Sequence, residues 1–202
     1  HGATNILAYE DMGYLPEAMR NYLLKLGWSY QDIDIINDID AQKIFNLKNI
    51  GKSPSRFDFA KLDNINKYYL KNKTEAQLFD LIKNELGDVN KGSQEKITKA
   101  LKFIKEKAVK IPDLIEPAKI YIDNYRKEIS ENDLEKLKNK KDLIPLIKSV
   151  LEKIDNWNLE EIKSRLNNFC QENNLKIKDF GPAIRIILTF SSKSAGGIFD
   201  VI

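Results

Sequence analysis

The sequence predicts an all-α fold, and three observations carry that expectation. Apolar residues recur at helical spacing through nearly every segment of the 202-residue chain. Helix-starting residues (Ser, Thr, Asp, Asn, Pro) stand before those stripes, and Gly follows several of them. Alternating strand patterns are scarce, so at most short strands are expected, near the front.

Pro16 opens the first clear helix and Gly27 closes it. Between them Met19, Tyr22, Leu23 and Leu26 fall at i, i+3, i+4 and i+7, one apolar stripe. "SPSRFDFAKLDNINKYYL" gives a turn, a short extended piece around Arg56 and Phe57, and a helix capped by Asp58 through Leu62, Ile65 and Tyr69. "TEAQLFDLIKNELG" sets Thr74 and Gln77 at capping-box spacing and stops at Gly87. Ser93 precedes a helix striped by Ile97, Leu101, Ile104 and Ala108, and Pro112 starts another running towards Tyr125. Ser130 and Asp142 are candidate caps, the second ahead of Ile144, Ile147, Leu151 and Ile154. Asn158 and Glu161 have capping-box spacing before "LEEIKSRLNNFCQENN", where Ile162, Leu166 and Phe169 face inward. "AIRIILTF" stays open: its β-branched content suits a strand, while the preceding Gly181–Pro182 suits a helix start. Polar stretches near 71–75 and 127–133 mark boundaries, giving expected parts 1–72, 73–135 and 136–202.

The chain is 42% hydrophobic, enough for real cores, and 31% charged. No apolar run approaches the ~20 residues that cross a bilayer. The single cysteine, Cys170, has no internal disulfide partner, which favours a reducing, cytoplasmic setting. The net charge of +3 is uneven. Residues 1–50 hold four Lys/Arg against seven Asp/Glu, leaving 29 against 23, or +6, in residues 51–202. That basic remainder permits a polyanion partner, although solvated helix surface accounts for many of the lysines.

Catalytic chemistry is hard to assemble. His1 is the only histidine, at a terminus, and no Cys/His cluster has zinc-ligand spacing. Cys170 follows Leu166 by four residues on an apolar face, the place of a small core residue. The carboxylates alternate with lysines on amphipathic helices, as solvated ion pairs do. "FSSKSAGGIF" has the glycines and hydroxyls of a phosphate cradle but neither the spacing nor the setting of a P-loop, and reads as a turn.

Four segments carry a family resemblance. "HGATNILAYEDMGYLPEAMRNYLLKLGWS" resembles the stretch of bacterial glutamyl-tRNA synthetases directly after their Lys-x-Ser-Lys-Arg signature. "SPSRFDFAKLDNINKYYL" resembles their Ser-Pro-Ala-Arg-Phe-Asp segment and following helix. "EKITKALKFIKEKAVKIPDL" resembles the helix leading into the anticodon-binding region, and "IRIILTFSSKSAGGIFDVI" the late Arg-x-x-Leu-Thr-Gly turn with its Gly-x-Phe continuation.

The resemblance implies a small, mainly helical stem-contact domain over residues 1–72, followed by tandem helical bundles of the anticodon-binding region, the last C-terminally incomplete. It implies a fragment beginning just after a catalytic loop, with no catalytic residue and no cofactor of its own, unable alone to form glutamyl-adenylate or to charge tRNA. ATP and Mg belong to the full-length ligase. The implied partner is tRNA, of glutamate isoacceptors with glutamine left open, bound by a monomer without a membrane. Arg185 matches the family's anticodon-side Arg, and Lys107 stands where the family often has a base-reading Arg. Lys193, Ser194, Gly196, Gly197 and Ile198 fall on the loop that approaches anticodon bases. Phe190 replaces the family's usual Gly, and Ala195–Gly196 its Ser/Thr-Pro with one inserted residue. The alternative is an independent helical protein-interaction module sharing the scaffold. A Lys-x-Ser-Lys-Arg immediately upstream in the parent gene separates the two.

Overall fold

The computed structural model describes residues 5–51, 55–193 and 197–201. The expected turn at Ser53–Pro54 lies outside them, as does His1. The described residues form helices and no sheet. The strand content is one isolated antiparallel bridge, Trp28 with Ile50, while Arg56 and Phe57 form no strand. By contacts the chain divides into two units, 1–118 and 119–202. The boundaries expected near 72 and 135 rest on polar stretches and on the family resemblance, not on contacts.

The first unit contains α1 (Ile6–Asp11), α2 (Pro16–Gly27), α3 (Asp38–Ile44), α4 (Phe59–Asn72), α5 (Glu75–Leu86), α6 (Lys91–Ile104) and α7 (Pro112–Lys119, ending at the boundary). Helix α2 packs on α4, burying Ala18, Met19 and Tyr22 together with Leu62, Ile65 and Leu70. Leu23, expected in the α2 stripe, is half exposed, because Asn21 takes the buried position beside Tyr22. Asn21 is bonded on both ends of its amide: it donates to the Asp34 carbonyl and accepts from the Ile36 N–H, each at 2.9 Å. Asn66 works similarly, accepting from the Leu15 N–H at 2.8 Å and donating to the Val109 carbonyl. A buried amide satisfied on both sides ties separate segments with directional bonds that an apolar residue cannot make.

Several helix starts match their sequence signals. Asp58 accepts from the N–H groups of Ala60 and Lys61, and Thr74 and Gln77 form the reciprocal capping box. Others differ. Asn90 caps α6 in place of Ser93, which is buried inside the first turn. Helix α7 ends at Lys119 instead of continuing towards Tyr125, and the chain goes on through turns in which the Ile122 and Tyr125 N–H groups bond the carbonyls three residues back.

The second unit contains α8 (Glu131–Lys138), α9 (Leu143–Glu152), α10 (Leu159–Glu172), α11 (Ile177–Thr189) and the short α12 (Ile198–Val201). Its core gathers Ile147 and Ile154 from α9 and its exit, Ile162, Leu166, Phe169 and Cys170 from α10, Phe180 and Ile184 from α11, and Ile198. A fully buried side chain such as Leu166 contributes ~1.5–3 kcal/mol. That burial, more than helix propensity, holds a 14-residue helix like α10 in place. Burial pushes the Cys170 thiol up, away from nucleophilic use. Ser130 and Asn158 cap α8 and α10, whereas Asp142 precedes α9 without a side-chain cap bond. "AIRIILTF" is helix: Asp179 accepts from the Lys176 N–H at 2.7 Å to cap α11, and Gly181–Pro182 lies inside the helix rather than before it.

Candidate nucleic-acid interface

Helix α6 and the turn after it carry the lysines at 102, 105, 107 and 110, and the structure separates their roles. Lys102 and Lys107 are exposed. Lys105 is turned inward, donating to the Lys73 carbonyl at 2.9 Å and pairing with Glu75 at 3.2 Å. Lys110 lies over the Tyr14 ring, 4.7 Å from its centroid, and 3.4 Å from Asp63. Hydrogen bonding to Tyr14 holds its ammonium above the usual lysine range. Half of this cluster is therefore committed to the unit's own packing.

In the second unit the exit of α11 builds the start of the glycine-containing loop. Phe190 ends the helix in the left-handed region, at φ +61°, its N–H on the Ile186 carbonyl at 2.8 Å. The family's usual Gly adopts that conformation without strain. Here the Phe190 ring packs edge-on to Tyr125, centroids 6.1 Å apart. The Thr189 hydroxyl lies 2.8 Å from the Arg185 carbonyl and 2.9 Å from that of Ser191.

Ser192 is then pinned by α8. Its N–H donates to Asp133 Oδ2 at 3.0 Å and its hydroxyl to Asp133 Oδ1 at 2.7 Å. Lys136 Nζ sits 2.8 Å from the same Oδ1 and 3.0 Å from the Ser192 hydroxyl. The Lys136 ammonium, followed by the two Ser192 donors, lowers the buried Asp133 carboxyl to about 2. Asp133 is thus an anion at neutral pH, fixing both the loop's first residues and a lysine beside them.

Arg185 is half-buried on α11 and reaches the loop from the other side, Nη1 lying 3.5 Å from the Ser192 carbonyl, a long and weak bond. Lys193 is exposed, its N–H on the Ser191 hydroxyl at 3.1 Å. Gly197 is exposed, whereas Ile198 is a core residue at 8% exposure. Ser194 and Gly196 lie outside the described residues. Arg185 and Lys193 are thus gathered around Ser192, while Lys107 belongs to the first unit. Asp133, Lys136 and Ser192 were missed by sequence reasoning. Asp133 carries no local signal of this role, because its partner Ser192 lies 59 residues away.

Among the described residues no group of His, Cys, Asp and Glu could hold a metal ion, and no helix is long and apolar enough to cross a membrane.

The sequence model of the anticodon binding domain matches residues 70–202, about two thirds of the chain. The chain belongs to that family. Its whole length is also 38% identical to "Glutamate--tRNA ligase 1" of Wolbachia pipientis wMel, of which it covers 42%, and 36% identical to the glutamate--tRNA ligase of Nitrobacter winogradskyi, of which it covers 45%. The chain therefore spans less than half the length of these curated relatives. Among solved structures, a glutamate tRNA ligase from Elizabethkingia meningosepticum superposes on 96% of the chain with a TM-score of 0.79, the match covering 39% of that protein. At 22% identity this likeness speaks to the fold alone, which is all-α among the described residues.

Proposed function

We propose that this chain is the tRNA-binding part of a glutamate–tRNA ligase, contacting the inner corner of the tRNA with residues 1–72 and the anticodon arm with residues 73–135 and 136–202. The observation that supports this best is the likeness, over the full chain, to glutamate–tRNA ligases. The parent enzyme esterifies glutamate to tRNA in the cytoplasm using ATP and Mg, and this chain supplies the grip on the nucleic acid as a monomer.

Single-stranded bases are read by edges, stacking and guanidinium planes, and phosphates by lysines. In this reading Arg185 and the exposed Gly197, with the sequence positions Ser194 and Gly196, approach anticodon bases. Lys193 and Lys107 meet the RNA from the surface. Ile198, being buried, anchors the loop's far end to the core. Lys107 offers a point charge where a planar fork would read a base edge, so it contributes less discrimination than Arg.

Hydroxyl-radical footprinting of a glutamate tRNA tests the proposal. Protection should concentrate on the anticodon loop and the inner corner of the L. Uniform protection, or none, would overturn it.

A further inference from the structure

On the α8 side of the loop, a cleft of about 460 Å³ opens between the end of α8, the turn after it and the first turns of α11. Lys136, Asn139, Lys140, Lys178, Asp179 and Ser192 are among the residues that line it. The three ammonium groups are not equivalent. Lys136 is held on Asp133 and the Ser192 hydroxyl, so its charge is largely answered. Lys140 is half-buried and Lys178 exposed, and among the described residues neither has a carboxylate partner within ion-pair distance. Asp179, the acid in this lining, already caps α11 through the Lys176 N–H. A surplus of positive charge therefore faces a concave space, with an amide at Asn139 and a hydroxyl at Ser192 beside it.

A concave cationic site receives a compact anion better than an extended acidic surface does, and lysine suits a phosphate as a point charge. Ser192 belongs both to the cleft and to the loop start that Asp133 fixes. We propose that this cleft takes a backbone phosphate of single-stranded RNA, neutralised by Lys140 and Lys178, while the neighbouring bases lie on the side of Ser192 and Lys193. This rests on the tRNA-binding reading above and adds to it the phosphate seat that sets the strand's register beside the loop.

The test is a salt titration of the complete chain and of Lys140→Ala/Lys178→Ala with a glutamate tRNA. Each phosphate that is no longer neutralised should make the slope of log K against log salt shallower by ~0.7–0.9, and at about 0.1 M salt should weaken binding about five- to eightfold. The weakening should be equal for a tRNA with an altered anticodon, because a phosphate carries no base identity. Lys148→Ala/Lys153→Ala removes the same charge from α9 and the residue that follows it, and should leave the slope unchanged. Melting curves should match the wild type for both pairs, and Lys140→Gln/Lys178→Gln provides a second, longer-chained version if alanine disturbs the fold. A cleft variant that binds tRNA as the wild type does overturns the phosphate seat and leaves the tRNA reading standing. An equal weakening from the α9 pair overturns it in favour of a diffuse cationic surface. A wild-type chain that does not bind tRNA removes both readings.

Discussion

Replacing Asp133 with Asn should loosen the start of the 191–197 loop by an amount that its surroundings set. Asn keeps the shape and one carbonyl oxygen but turns an NH2 donor towards either the Ser192 N–H or the Lys136 ammonium, so the change removes the charge together with one acceptor. The Asp133 side chain is only 9% exposed and its carboxyl is lowered from 3.8 to about 2. At ~1.36 kcal/mol per pH unit, that corresponds to about 2 kcal/mol of stability at neutral pH. Charge-assisted hydrogen bonds, typically ~1.5–3 kcal/mol, give a similar figure for the contacts to Ser192 and Lys136. Lys136, 41% exposed, regains water when its partner is neutralised, so no large orphan-charge penalty is added. The folded value lies below the unfolded one, so the contribution is complete above about pH 4 and vanishes as pH falls through about 2. By pH 3 about half should remain. Urea unfolding of both proteins by circular dichroism, across a pH series, measures it. The wild type should exceed Asp133→Asn by about 2 kcal/mol at pH 7, with the gap narrowing below pH 4. Equal stability at pH 7, or a gap that persists undiminished to pH 3, would refute the reasoning.

Four further substitutions have definite expected outcomes. Gly87 sits at φ +72° with open space where a Cβ would go, so Gly87→Ala should cost backbone strain alone, ~1–3 kcal/mol. Gly13, at φ +84°, would place a Cβ 2.2 Å from the Pro112 ring, so Gly13→Ala should cost a further ~1–3 kcal/mol; equal destabilisation of the two variants in urea would contradict this. Arg185→Ala should weaken tRNA binding by ~1–3 kcal/mol with a smaller drop in unfolding free energy, and a variant that unfolds early yet binds tRNA normally would assign Arg185 to packing. Lys107→Arg should sharpen the preference for a glutamate anticodon over an altered one, since a guanidinium reads base edges that an ammonium cannot; unchanged preference would place Lys107 away from the bases.

Local signals were legible in the sequence, and partnerships across long separations were not. The caps at Asp58, Thr74, Ser130 and Asn158 act within three residues of themselves, so spacing alone reveals them. The stripe Ile162–Leu166–Phe169 reports its own burial for the same reason. The α11 run could not be assigned from periodicity, because helix and strand share its composition. The Asp179 cap and the burial of Phe180 and Ile184 select the helix. Asn21, Asn66 and Asp133 were invisible as structural residues because polar side chains look exposed until a distant backbone segment supplies their hydrogen bonds. Proximity in sequence can also overstate a charged surface. Lys102, Lys105, Lys107 and Lys110, on α6 and the turn after it, stand close in sequence, yet Lys105 and Lys110 are spent on Glu75, Asp63 and the Tyr14 ring. At the loop, Phe190 for Gly was visible as a departure, but the left-handed turn it occupies and the Tyr125 ring packed beside it required coordinates.

The claim at the centre is that this chain grips tRNA and reads its anticodon, and one titration tests it most directly. Binding of a glutamate tRNA, the same tRNA with an altered anticodon, and an RNA duplex of equal length is measured across a salt series. Residues 51–202 carry a net charge of +6. If roughly three to six phosphates are neutralised, log K against log salt should slope about −2 to −5. The altered anticodon should weaken binding at every salt concentration while leaving that slope in place, because base recognition is removed and phosphate neutralisation is kept. Equal affinity for all three RNAs, with parallel slopes, would leave only a generic polyanion surface and would contradict anticodon reading by this chain.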